Sequence, residues 1–205
     1  TGGHAHRPSC VSTIFSDNQG RTWQRGEIVV GHPTAKNPGE STAVELADGR
    51  VMLNIRHESR PRGRGVAISP DGSAGWTPFR FDDQLPEPIC MARLVRLSTS
   101  PPSDRNRILF SNPDNLSCAD GKEVPGKNRD RKNLSVKLSA DDGKTWPVSR
   151  AVEAGWSMYS DLAVAQDGTI LCFYGRGEKK DFAGDRLTLA RFNLEWLTQG
   201  KGVPK

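Results

Sequence analysis

Ser16-Asp17-Asn18-Gln19-Gly20-Arg21-Thr22-Trp23 and Ser139-Ala140-Asp141-Asp142-Gly143-Lys144-Thr145-Trp146 are two copies of one octet, Ser-x-Asp/Asn-x-Gly-x-Thr-Trp. A third, Ser69-Pro70-Asp71-Gly72-Ser73-Ala74-Gly75-Trp76, keeps the Ser, Asp and Trp positions and loses the Gly and Thr. The chemistry is that of a tight hairpin. A short polar side chain bonds the turn backbone, Gly supplies positive φ, and a terminal Trp is expected to pack back onto the sheet.

A second repeat lies between the octets. Ala43-Val44-Glu45-Leu46-Ala47-Asp48-Gly49-Arg50-Val51-Met52-Leu53 parallels Leu162-Ala163-Val164-Ala165-Gln166-Asp167-Gly168-Thr169-Ile170-Leu171-Cys172, each a strand, an x-Asp-Gly turn and another strand;. Arg93–Leu97 and Arg107–Ser111 form a third such pair around a long polar loop. No stretch before Leu187 carries helical periodicity, and Leu187–Leu197 reads as a final strand running into a short helical tail;. A unit of hairpin, strand and octet, present about three times in whole or part, predicts an all-β fold of blades around an axis. Propellers close with roughly four to eight blades. Residues 1–205 are therefore expected to be part of a single propeller domain whose beginning lies upstream of Thr1.

Composition agrees with a turn-rich chain: of 205 residues, 21 are Gly and 14 Pro, without low-complexity repetition;. The net charge of +5 is spread among 24 acidic residues with no basic run longer than a pair, so nucleic acid is not an expected partner;. No stretch approaches the ~18 apolar residues of a membrane span. Cys10, Cys90, Cys118 and Cys172 lie far apart without metal or redox spacing, and are read as buried thiols;. His4 and His6 have no third ligand nearby, so no metal or other cofactor is assigned;.

The two Asp-Gly hairpins share a register that points to chemistry. Nine residues before Gly49 stands Glu40, and nine before Gly168 stands Tyr159. The start of an inner strand faces the central opening of a propeller, so a carboxylate and a phenol are expected to meet across it.

These residues carry a resemblance. The octet resembles the Asp-box of sialidases and other β-propellers, a turn that in that family lies away from the active site; Asp17, Asp71, Asp141 and Asp142 are accordingly structural. The segment Glu40–Arg56 is similar to the sialidase stretch that bears the catalytic Glu and, sixteen residues later, an Arg of the carboxylate-binding triad. Arg131, leading into the last Asp-box, matches the third triad Arg, and Tyr159-Ser160-Asp161-Leu162 resembles the nucleophile motif. The resemblance implies a six-bladed propeller, incomplete here at its N-terminus, and a retaining exo-α-sialidase acting on sialylated glycans. Tyr159 and Glu40 would be catalytic and Arg56 and Arg131 substrate-binding, with no cofactor, in a secreted or periplasmic protein. Tyr suits this substrate, whose own carboxylate would repel an anionic nucleophile.

The family's first triad Arg and its acid/base Asp have no match before Glu40. Arg7, in His6-Arg7-Pro8, is read as a loop residue. The chain alone is therefore expected to be nearly inactive. The alternative is a glycan-binding Asp-box propeller without catalysis.

Overall fold

The computed structural model describes residues 7–119, 121, 129–179 and 184–202. The strands are β1 (Cys10–Phe15), β2 (Gln24–Gly31), β3 (Gly39–Glu45), β4 (Val51–Arg56), β5 (Gly63–Ser69), β6 (Arg80–Pro86), β7 (Arg93–Ser98), β8 (Arg107–Pro113), β9 (Lys132–Ser139), β10 (Val148–Val164), β11 (Ile170–Gly177) and β12 (Arg186–Phe192). The one helix among the described residues, α1 (Leu194–Thr198), follows as the tail pattern predicts, with Asn193 capping it through the Trp196 N–H;. His4 and His6 lie outside the described residues.

All pairings between the named strands are antiparallel. β1 pairs β2; β3-β4-β5-β6 form a four-stranded meander; β7 to β12 form a second meander in sequence order. Its middle strand, β10, pairs β9 from Val148 to Trp156 and β11 from Trp156 to Val164. One 17-residue strand thus serves as the outer strand of one blade and the inner strand of the next. Inner strands of successive blades meet without pairing. Leu94 N–H of β7 donates to Thr42 Oγ1 of β3 at 3.2 Å, and Arg93 of β7 faces Asp161 of β10 at 3.0 Å.

The octets form the expected turns, joining β1 to β2, β5 to β6 and β9 to β10. In the last, Asp141 Oδ1 accepts from Thr145 N–H at 2.9 Å and Ser139 Oγ accepts from Gly143 N–H at 2.8 Å. In the first, Asn18 and Ser16 take the same bonds from Thr22 and Gly20 at 2.9 and 2.8 Å. The octet that departs from the pattern turns on Asp71, which accepts from Ser73 N–H at 2.8 Å, with Gly72 at φ 81°. Both x-Asp-Gly hairpins close alike, Gly49 N–H donating to Leu46 O and Gly168 N–H to Ala165 O, each at 3.0 Å.

Strand alternation sends side chains into three interblade layers. Val11, Val30 and Ala35 meet Leu53 and Ile55 in the first. Val44, Met52 and Val66 meet Leu94, Ile108 and Phe110 in the second. Leu109, Leu134 and Leu138 meet Leu162, Ile170 and Cys172 in the third. Each fully buried Leu, Ile or Phe contributes roughly 1.5–3 kcal/mol. These layers therefore fix one blade against the next.

The octet tryptophans depart from expectation in one instance. Trp76 and Trp146 wedge against the preceding blade, in the first and second layers. Trp23 is 61% exposed, because no blade precedes β1–β2 among the described residues. Ile14 and Ile28 on the same sheet, and Phe173, Leu187 and Leu189 on β11 and β12, are exposed for the same reason at the two ends of the array. The thiols also divide: Cys90 and Cys172 are buried as expected, but Cys10, on β1, is exposed and Cys118 half-buried.

Candidate active site

Glu40 and Tyr159 occupy matching irregularities at the starts of two inner strands. On β3, Gly39 pairs Arg56 and Ser41 pairs Ile55, which leaves Glu40 as an extra residue between them. On β10 the register slips between Ser157, opposite Arg176, and Ser160, opposite Tyr174, and Tyr159 falls in the slip. A bulge re-aims a side chain out of the sheet's alternation. Here it turns a carboxylate and a phenol toward each other from two blades.

The Tyr159 hydroxyl donates to Glu40 Oε1. Arg56, the last residue of β4, donates from Nη1 to the other oxygen, Oε2, at 2.7 Å. The Arg131 guanidinium stands 5.4 Å from the centroid of the Tyr159 ring, and its Nη2 donates to the Ile89 carbonyl at 2.7 Å. All four predicted site residues therefore belong to one cluster. Tyr159 remains 37% exposed.

Burial, followed by the hydrogen bond and charge of Glu40, raises the Tyr159 phenol above its ordinary value, while Arg131 and Arg56 pull it down. The resting hydroxyl is thus neutral at physiological pH, with its proton already aimed at a carboxylate. Arg56 on Glu40 and Arg131 over the ring put two cations beside a neutral phenol, an arrangement suited to an anionic ligand;.

Neighbouring residues take other places. Arg129, two residues before Arg131, is buried and donates to the Glu87 carbonyl at 2.6 Å. Arg7 pairs with Glu58, which also accepts from Asn37 Nδ2 at 2.8 Å, outside the cluster. Trp156 lies beneath Lys132, whose Nζ is 4.1 Å from the ring centroid. Among the described residues no group of three or more His, Cys, Asp or Glu side chains is placed to hold a metal ion.

One element behind the site had no sequence signal. Arg64, fully buried on β5, donates to Glu87 Oε2 at 2.7 Å, to the Cys90 carbonyl at 2.8 Å and to Asn54 Oδ1 at 2.6 Å. In the sequence Arg64 follows Arg60-Pro61-Arg62-Gly63 without any motif, and Glu87 stands between two prolines. Only the tertiary fold brings the two together.

An array of Asp-box blades with a Tyr–Glu pair at the starts of two inner strands and two arginines beside it defines a sialidase-type β-propeller. The chain belongs to the BNR repeat-like domain family, whose model matches residues 11–172. It is 35% identical over 188 residues to a sialidase of Micromonospora viridifaciens, a match covering 90% of this chain and 25% of that protein. A Bacteroides fragilis sialidase is 29% identical over 167 residues, covering 78% of this chain and 27% of that one. The chain thus spans about a quarter of the length of these curated relatives. Among solved structures, the Hadza microbial sialidase Hz136 superposes with a TM-score of 0.67 at 27% identity, over 90% of this chain and 32% of that one.

Proposed function

We propose that the intact protein carrying this chain is a retaining exo-α-sialidase. The reading rests on the Tyr159 hydroxyl bonded to Glu40, whose second oxygen is held by Arg56, with Arg131 over the phenol ring. Glu40 accepts the phenol proton as Tyr159 attacks the anomeric carbon of a terminal sialic acid, and Arg56 and Arg131 hold the sugar's carboxylate. A neutral nucleophile suits a centre that already carries an anion. Water then releases the sugar from Tyr159, restoring the phenol.

Residues upstream of Thr1 would complete the ring, supplying the third carboxylate-binding arginine and the aspartic acid that protonates the leaving oxygen. The exposed Trp23, Ile14 and Ile28 support this, since Trp76 and Trp146 each rest on a preceding blade. The chain by itself would then be nearly inactive.

The test is release of sialic acid from a fluorogenic sialoside by the intact protein and by its Tyr159→Phe variant. Release that collapses in the variant is expected. A folded intact protein that binds sialylated glycans without releasing sialic acid would leave only the binding propeller.

A further inference from the structure

The buried pair of Arg64 and Glu87 calls for a physical reason. Removing two charges from water costs several kcal/mol per ion before their attraction is counted, so such a pair is a poor device for stability alone. Its partners point to what it does instead.

Glu87 opens the loop between β6 and β7, and its carboxylate folds back onto that loop. Oε1 accepts from the N–H groups of Ile89 and Cys90 at 2.7 and 3.2 Å. Oε2 accepts from Arg64 at 2.7 Å and from His57 N–H at 3.3 Å. Each of these partners donates, so the carboxyl is held as the ion: a protonated one would aim a hydrogen at a donor. Burial pushes Glu87 up, while the Arg64 charge, the two loop N–H groups and the Arg56 charge oppose it.

The clamp sets the loop's outward face. Ile89 stands at φ 60°, an uncommon conformation for a β-branched residue, and its own N–H is among those tied to Glu87;. With the backbone so turned, the Glu87 carbonyl accepts from Arg129 at 2.6 Å and the Ile89 carbonyl from Arg131 at 2.7 Å. The second of these bonds holds the guanidinium that stands over Tyr159.

We infer that Glu87, anchored by Arg64, is a positioning residue for carboxylate recognition: it shapes the Glu87–Met91 loop so that the Ile89 carbonyl orients Arg131 toward the substrate's carboxylate. This rests on the sialidase reading for the identity of the ligand, and on geometry alone for the control of Arg131. Glu87→Gln is the sensitive change. If the amide oxygen stays on Ile89 and Cys90, the NH2 meets Arg64 and His57 donor to donor, and if it turns over, the loop N–H groups face a donor instead. One half of the clamp fails either way. Replacing both charges, Arg64→Met with Glu87→Leu, removes the clamp without leaving a buried unpaired ion.

Both variants are made in the intact protein and assayed for KM and kcat on a fluorogenic sialoside, for melting temperature, and for inhibition by sialic acid against its C1 amide. Loss of one hydrogen bond to a charged group predicts a KM raised about tenfold or more with kcat within about threefold. The preference for acid over amide is expected to shrink by a similar factor. A merely structural role would lower the melting temperature and the active fraction while KM and the acid preference held, and that result overturns the inference. If the intact wild type neither binds nor hydrolyses sialosides, the functional reading fails. The crystal structure of Glu87→Gln then decides: Arg131 displaced from the Ile89 carbonyl upholds the positioning role, and Arg131 in place refutes it.

Discussion

His57 makes the fold acid-sensitive, by an amount that follows from its surroundings. The ring is fully buried, accepts from Ser59 N–H at Nδ1 at 3.0 Å, and lies 2.8 Å from the Gly63 carbonyl at Nε2. With Nδ1 accepting, the single proton of the neutral ring must sit on Nε2, donating to Gly63. Burial lowers its value from 6.5 to about 4; the hydrogen bond to Gly63 opposes it, and the charges of Arg64 and Arg129 add smaller downward pulls. Because the folded value is depressed, the unfolded chain takes up the proton first as pH falls. The stabilisation is complete above pH 6.5 and is lost progressively down to about 4;. At about 1.4 kcal/mol per unit, that window amounts to roughly 3 kcal/mol. Urea unfolding followed by Trp fluorescence at pH 7, 6, 5 and 4 measures it, with His57→Gln as reference and each protein's own pH 7 stability as its zero, so that the cost of the substitution drops out. The variant should lose less stability than wild type on acidification, by about that amount. Parallel curves for the two proteins would refute the assignment of a buried neutral ring.

Three further outcomes are expected. Glu40→Gln removes the acceptor of the Tyr159 proton, so kcat of the intact protein on a sialoside should fall by roughly 10²–10⁴, and the Tyr159 phenol should ionise at lower pH in a difference titration against Tyr159→Phe. Gly49 and Gly143 both have left-handed φ, 85° and 83°, but an added Cβ meets nothing at Gly49 and lies 2.9 Å from Met52 Cε at Gly143. Gly49→Ala should cost about 1–2 kcal/mol in denaturant unfolding, and Gly143→Ala more, by whatever displacing the Met52 methyl requires. Trp146→Ala should cost about 3–5 kcal/mol; if a preceding blade covers Trp23 in the intact protein, Trp23→Ala there should cost a comparable amount, and a near-zero change would exclude that blade.

What the sequence made legible is what short-range chemistry dictates. Octet turns are set by contacts within a few residues, as the Asn18 and Asp141 bonds to their own turn backbones show. Glu40 and Tyr159 could be singled out because each stands at a fixed offset from an Asp-Gly turn, and the ladder that closes each hairpin carries that offset to the strand's start. The bulge that actually aims each side chain was not legible, since an extra residue shows only against the partner strand. Arg131 was picked out over Arg129 only by its match to the family's spacing, and the buried place of Arg129 was not legible at all. Both sit in the charge run that ends at Lys132, and the Glu87 loop that takes Arg129 as a buried prop arrives from more than forty residues earlier. Trp23 was misjudged for a related reason: the octet fixes its turn, but its burial depends on a neighbouring blade.

The continuity of β10 bears on how the site opens. Its first half belongs to the ladder with β9 and its second to the ladder with β11, and at the changeover the Ser157 N–H donates to the Arg131 carbonyl at 2.9 Å. The backbone of Arg131 is therefore stitched to the strand that carries the phenol, two residues before it. A fluctuation that lifts the Ser157–Tyr159 stretch out of the sheet would break that bond and loosen the edge of the blade holding Arg131. Slow amide exchange around Arg131 and around Tyr159 should consequently rise and fall together, as one cooperative opening unit, while the β1–β2 hairpin at the far end of the array exchanges independently.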